Sequence, residues 1–158
     1  MSEARHCLRC GAPLAARETP DGARLACTAC EWIFYDNPTP VVAAIVEHEG
    51  EVLLVRQRGW PEKWYGLVTG FLERNETPEA GVLRELEEEL GLEGEVASLV
   101  GVYAFEQRNE LIVAYHVRAR GEVRLGEELE AFKRVAIERL RPWPFGTGHA
   151  VRDWLARR

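Results

Sequence analysis

Residues 70–92 read GFLERNETPEAGVLRELEEELGL, and the rest of the chain is arranged around them. Thr77 is a good N-cap, Pro78 takes the first helical position, and Gly91 follows the last periodic residue as a stop. At about 100° per residue, Glu79, Leu83, Leu86 and Leu90 fall on one side of this helix. Glu85, Glu88 and Glu89 stand at i, i+3 and i+4 on the opposite side. The leucines dock the helix. The glutamates call for another reason.

Four of the five residues 85–89 are Glu, in the last turns of the helix. Like charges at i, i+4 repel, and the negative end of the helix dipole disfavours anions there. A solvated acidic face is the plain alternative for such a run. A hard divalent cation would reverse the sign, because Mg²⁺ or Mn²⁺ takes clustered carboxylate oxygens and leaves positions for water and phosphate. Two neighbours favour the metal. Gly81 sits on the carboxylate face, where a helix interior loses about 1 kcal/mol by having Gly, and its missing side chain lets the 70–76 loop approach. Arg84 is a cation placed to orient Glu76 or a helix glutamate.

The stretch resembles the Nudix box, G-x5-E-x7-R-E-U-x-E-E-x-G-U with U aliphatic. Gly70, Glu76, Arg84, Glu85, Leu86, Glu88, Glu89, Gly91 and Leu92 fill all its fixed positions. The resemblance implies metal-assisted hydrolysis of a nucleoside diphosphate linked to another moiety. It makes Glu85, Glu88 and Glu89 the ligands of Mg²⁺ or Mn²⁺, Arg84 the residue that orients them, and Glu76 the supporting loop carboxylate. Asn75 stands where many members have Gly, and Asn tolerates the left-handed turn better than other side chains.

Upstream lie all four cysteines, Cys7-x2-Cys10, sixteen residues, then Cys27-x2-Cys30, the spacing of a four-thiolate zinc site. So short a segment builds no core of its own, so metal must supply its folding energy. Disulfides or scattered core cysteines are the alternatives, and His6 is a rival ligand. The pattern is similar to the zinc ribbon that precedes the Nudix domain of NADH pyrophosphatases, and a structural Zn²⁺ is expected. Residues 1–36 are therefore read as the ribbon and 37–158 as the Nudix domain. Within the ribbon, Glu31–Tyr35 reads as its last strand, and Asp36-Asn-Pro-Thr-Pro40 as an extended linker.

An apolar fraction of 46% supplies a real core, and the net charge of −6 argues against general nucleic-acid or anionic-membrane binding. No apolar run is long enough to span a bilayer and MSEARHCLRC carries no signal-peptide core, which gives a cytoplasmic expectation. Strands are expected at Val41–Glu47 and Val52–Arg58 around a His48-Glu49-Gly50 turn, then at Glu95–Phe105, Glu110–Arg120 and Phe132–Ile137, with a final helix at 148–157. Periodicity thus gives alternating strands and two principal helices. The resemblance names the architecture: an α+β fold, a Nudix α/β/α sandwich with a mixed β-sheet after a small zinc ribbon.

Several residues outside the box are candidates for the substrate. Arg56 and Arg58 end a strand within reach of phosphate, and Trp60, Tyr65 and Phe71 offer faces to a base. Phe105, Arg108 and Trp143 extend that set, whereas Trp64 is expected in the core. Glu127, Glu128 and Glu130 form a second acidic group, and by resemblance Glu127 completes the metal site. Pro142-Trp-Pro-Phe145 matches part of the NADH pyrophosphatase signature in letters but lies some fifty residues past the box, so NADH selectivity is not carried over from it.

The ribbon–Nudix arrangement implies a small nucleotide substrate of the NADH, ADP-ribose or FAD type. The only nucleic acid it admits is a nucleotide-capped RNA end, and a homodimer is expected. Two other functions compete: a house-cleaning nucleoside triphosphate pyrophosphatase, and an RNA- or protein-binding regulator with a vestigial box.

Overall fold

The structure is a computed structural model and describes residues 4–158, so the first three residues of the expected ribbon lie outside it. Contacts divide the chain between Pro38 and Thr39. The first unit is a three-stranded antiparallel sheet of β1 (Leu14–Thr19), β2 (Gly22–Cys27) and β3 (Ile33–Phe34), in that order. Gly22, at φ 103°, closes the β1–β2 turn in a conformation open to glycine. The strand expected over Glu31–Tyr35 shrinks to the two residues that pair with Leu25 and Ala26.

The second unit is organised by β4 (Thr39–His48). Residues Val41–Val46 are all buried, as in a strand covered on both faces. The linker expected to Pro40 therefore ends sooner. Pro40 is tolerated near the start of a strand, and its carbonyl accepts the Leu72 N–H at 3.2 Å. Along one edge β4 pairs in parallel with β8 (Glu110–Arg120). Along the other it pairs with β5 (Glu51–Gln57) at its end and with β6 (Val68–Phe71) at its beginning, both antiparallel. The outer strands are β7 (Glu93–Phe105) beside β8 and β9 (Leu129–Ala136) beside β5. The sheet is mixed, as expected. In the β4–β5 turn Glu49 and Gly50 both have positive φ, 53° and 82°, which suits a two-residue hairpin.

The two faces of β4 carry two cores. Val41, Ala43 and Ile45 pack with Val151 and Trp154 of α2 (Gly148–Ala156). Val42, Ala44 and Val46 pack with Val82, Leu86 and Leu90 of α1 (Pro78–Leu90). Strand alternation thus gives a helix to each face. No helix among the described residues is long and apolar enough to cross a membrane.

Helix α1 begins and ends where the sequence places it. The Thr77 hydroxyl accepts the Ala80 N–H at 3.2 Å, Pro78 is at the first turn, and Gly91 closes the helix at φ 65°. Replacing the cap by Thr77→Ala leaves the Ala80 donor to water. It should lower the unfolding free energy by about 1 kcal/mol, read as a shifted urea midpoint with unchanged slope.

Candidate active site

The site is built where α1 meets the 70–76 loop. A side chain at Gly81 would put Cβ 2.9 Å from both Glu76 Oε2 and Leu72 Cδ1, so the loop approaches as the glycine predicts. Asn75 takes the left-handed conformation at φ 64°. Gly70 matters as much, because a Cβ there would fall 1.8 Å from Glu85 Cδ.

Arg84 ties these parts together. Its Nε donates to Glu76 Oε1 at 2.8 Å and Nη2 to Glu76 Oε2 at 3.1 Å, a two-pronged grip on one carboxylate. Nη1 donates to Glu85 Oε1 at 2.8 Å and Glu88 Oε2 at 3.1 Å, and Nη2 also reaches the Phe71 carbonyl at 3.1 Å. The Arg84 guanidinium holds the Glu76 carboxyl below the usual range. Burial raises Glu85 against the pull of Arg84.

Glu89 lies outside this network. It is 4% exposed, not on a solvated face, and neither side-chain oxygen has a hydrogen-bond partner. Burial, reinforced by Glu85, Glu128 and Glu88, pushes its carboxyl up to about 8. The 121–128 loop folds over the end of α1 beside it. The Arg124 N–H donates to the Leu90 carbonyl at 2.8 Å and the Gly126 N–H to that of Glu89 at 2.9 Å, satisfying acceptors the helix leaves open. A Cβ on Gly126 would meet the Glu88 carbonyl oxygen at 2.2 Å, so this approach needs glycine.

The same loop delivers the second acidic group. Glu127 and Glu128 both line a cavity of about 620 Å³ together with Glu85, Glu88 and Glu89. Glu128 is the one whose charge adds to the rise of Glu85 and Glu89, while Glu127 lines the same cavity beside it. The Glu127 carbonyl accepts from Arg58 Nε, and the Arg58 N–H donates to the Glu128 carbonyl at 2.9 Å.

Arg58 is therefore spent on holding the loop. Arg56 donates to the Glu62 carbonyl at 3.1 Å, and of this strand end only Gln57 lines the cavity. Neither arginine is in the lining of either cavity, although Arg56 stands over the ring of Tyr65, which is. Phe71 lines the acidic cavity and Tyr65 a second one of about 560 Å³. Trp60 lines both, its ring accommodated by Gly66, where a Cβ would come within 3.3 Å. Trp64 is 58% exposed rather than buried, since the turn closed by its N–H to the Pro61 carbonyl at 2.9 Å presents it at the rim of the second cavity. Phe105, Trp143 and Phe145 complete that aromatic lining. Glu110, lining both cavities, was missed; the signal was a charge on the strand face that carries Ile112 and Ala114.

In the first unit the four cysteine sulfurs all lie within 4.8 Å of one another and none is in a disulfide. Cys10–Cys27 are 3.4 Å apart, Cys7–Cys30 and Cys10–Cys30 3.8 Å. Zinc–thiolate bonds of about 2.3 Å in a tetrahedron separate sulfurs by about 3.8 Å. Backbone N–H groups of Ala29 and Cys30 point at Cys27 Sγ, both at 3.3 Å, and the Ala29 bond leads in lowering this thiol to about 6. His6 is not in the cluster.

Residues 37–155 match the NUDIX domain and residues 5–36 the Nudix N-terminal zinc ribbon. An ADP-ribose pyrophosphatase of Methanocaldococcus jannaschii is 30% identical over 127 residues, covering 77% of this chain and 75% of that protein. An NAD-capped RNA hydrolase NudC of Stutzerimonas stutzeri is 29% identical over 164 residues, and there the chain spans only 58% of the relative's length. The crystal structure of a Nudix hydrolase from Nitrosomonas europaea superposes with a TM-score of 0.76 at 26% identity, over 87% of this chain and 80% of that one.

The orphaned Glu89 gives a pH test on metal-free protein. Its folded value of about 8 exceeds the ordinary 4.5, so the folded state holds a proton the unfolded chain has lost between those limits. The contribution of Glu89 to stability in EDTA should be full below about pH 4.5 and fall by about 1.4 kcal/mol per pH unit up to about pH 8. Glu89→Gln cannot ionise and should flatten that slope in urea titrations at several pH values. A loss of several kcal/mol at every pH would instead make Glu89 a structural partner.

Proposed function

We propose that this chain, which belongs to the Nudix family of hydrolases, cleaves the diphosphate of a nucleoside diphosphate linked to another moiety, of the NADH, ADP-ribose or FAD type. The observation that carries the reading is the shared wall of two unlike cavities. Val41, Trp60, Thr69, Arg108 and Glu110 line both the acidic one and the aromatic one. A ligand with an anionic linker and a flat ring suits that pair. A nucleoside triphosphate also carries a ring, but it lacks a second moiety beyond its phosphates. The names of the archaeal ADP-ribose pyrophosphatase and of NudC point the same way.

Glu85, Glu88, Glu89 and Glu128 would hold Mg²⁺ or Mn²⁺. Two buried oxygens on Glu89 without a partner fit such a cation, because an unpaired buried carboxylate is otherwise costly. When bound, the cation neutralises diphosphate charge and lowers the pKa of water. The chain's own residues do the rest. Arg84 fixes Glu85 and Glu88 at the cavity wall and keeps Glu76 ionised. Water oxygen attacks one phosphorus, the bridging P–O bond breaks, and the bridging oxygen leaves on the other phosphate. The proton passes to Glu85 or to the Glu127–Glu128 pair, all of which line the cavity. Two monophosphates result. Trp60, Tyr65, Trp143 and Phe145 would stack the ring, each such contact worth roughly 1–3 kcal/mol.

The zinc ribbon is proposed to be structural, with one Zn²⁺ on Cys7, Cys10, Cys27 and Cys30. Elemental analysis should return about one zinc per chain, and Cys27→Ser should lose it. Zinc retained by that variant at full occupancy would remove the cysteine assignment.

Substrate choice is tested by hydrolysis of NADH, FAD and ADP-ribose against dGTP and 8-oxo-dGTP, with Mg²⁺ and Mn²⁺ and products identified by mass. Dinucleotide-type substrates should give two monophosphates, and triphosphates should be at least about tenfold poorer in kcat/KM. A preferred triphosphate releasing pyrophosphate would sink the substrate class.

A further inference from the structure

Glu110 is out of place for a residue of the sheet. It opens β8 on the face shared with Ile112, is 8% exposed, and stands where the acidic and aromatic cavities meet. A buried carboxylate needs partners. Its one ion pair is with Arg108 Nε at 3.1 Å, and that side chain is itself 62% exposed. An exposed partner holds a carboxylate weakly, because water and salt screen it. Glu110, with one carboxylate oxygen paired to Arg108, thus stands in the wall shared by the two cavities.

The passage fixes what reaches them. With the diphosphate against Glu85, Glu88 and Glu89 and a ring among Trp60, Tyr65 and Trp143, the intervening part of a nucleotide is its ribose. A ribose offers hydroxyl donors, and an ionised carboxylate accepts them in charge-assisted bonds. We propose that Glu110 is a specificity residue that accepts the ribose hydroxyls of the nucleoside in the aromatic cavity and so selects ribonucleotides over 2′-deoxy and 2′-phosphorylated ones. This rests on the diphosphatase reading above and adds the sugar to it. Arg108 pairs with Glu110 from the tip between β7 and β8. A 2′-deoxyribose removes a donor and leaves a buried acceptor short; a 2′-phosphate brings an anion against an anion.

A symmetric substrate removes the question of which nucleoside enters the cavity. Diadenosine diphosphate and its bis-2′-deoxy and bis-2′-phospho forms carry the same change at both ends. The wild-type chain should lose about tenfold or more in kcat/KM on either change, mostly through KM, because a site built to bind a hydroxyl rejects the analogue without it. Glu110→Ala should bring the ribo-to-deoxy ratio close to one, and Glu110→Gln, which keeps the shape and one acceptor, should lie between. Equal wild-type rates on ribo and deoxy substrates would overturn the proposal. So would a Glu110→Ala protein that slows on both alike with the ratio intact, since Glu110 would then only brace the tip. ATP against dATP is run in parallel. Ribose selection lost in Glu110→Ala on the triphosphates, without cleavage of diadenosine diphosphate, would keep Glu110 in its role and overturn the diphosphatase reading instead.

Discussion

One guanidinium holds the site in shape. Arg84 reaches back to Glu76 with two bonds, along its own helix to Glu85 and Glu88, and across to the Phe71 carbonyl. Helix, loop and the end of β6 are thereby fixed to one planar fork. A lysine at this position would present a single point charge and could not span the same directions. The grip is possible only because Gly70 and Gly81 are bare: a Cβ on one would collide with Glu85 and on the other with Glu76.

Around this clamp the electrostatics are left unbalanced. α1 ends in glutamates where its dipole is negative, and the loop that satisfies its last carbonyls through Arg124 and Gly126 brings Glu127 and Glu128 to the same cavity. Arg84 compensates Glu76, Glu85 and Glu88 but makes no bond to Glu89. Folding alone would not choose this arrangement, since each local preference is set against it. A divalent cation held there, as proposed, would remove the conflict at every carboxylate together, and binding would add stability.

The sequence makes these features legible to different depths. Helix limits, the loop's approach at Gly81 and the turn at Asn75 follow from local rules, because caps, missing side chains and left-handed residues act within a few positions. The strand over Val41–Glu47 follows likewise, whereas its cover on both faces shows only in the fold. What local rules did not settle depended on distant contacts. The choice between Glu127 and Glu128 turns on how the 121–128 loop registers against α1, which Gly126 sets by contact with Glu88. Gln57 ends β5 and lines the acidic cavity, whereas Arg56, one residue earlier, and Arg58, past the end of the strand, do not. Trp64 has a core-like composition but sits on a turn, where backbone direction rather than hydrophobicity decides exposure.

Trp143 and Phe145 show why a matched tetrapeptide and a matched position carry different information. Pro142-Trp-Pro-Phe145 lies far from the box in sequence, so its letters could not be given the role they have elsewhere. In space the chain returns: both aromatic residues line the cavity that shares a wall with the acidic one. The return is set by small residues. A Cβ on Gly148 would strike the Trp143 carbonyl oxygen at 1.9 Å, and Gly146, at φ 50°, lies against the Phe105 ring. On the proposed reading, substrate selectivity would depend on a tight turn before α2, not on adjacency to α1. The aromatic wall can change with that turn while Arg84 and its carboxylates stay as they are.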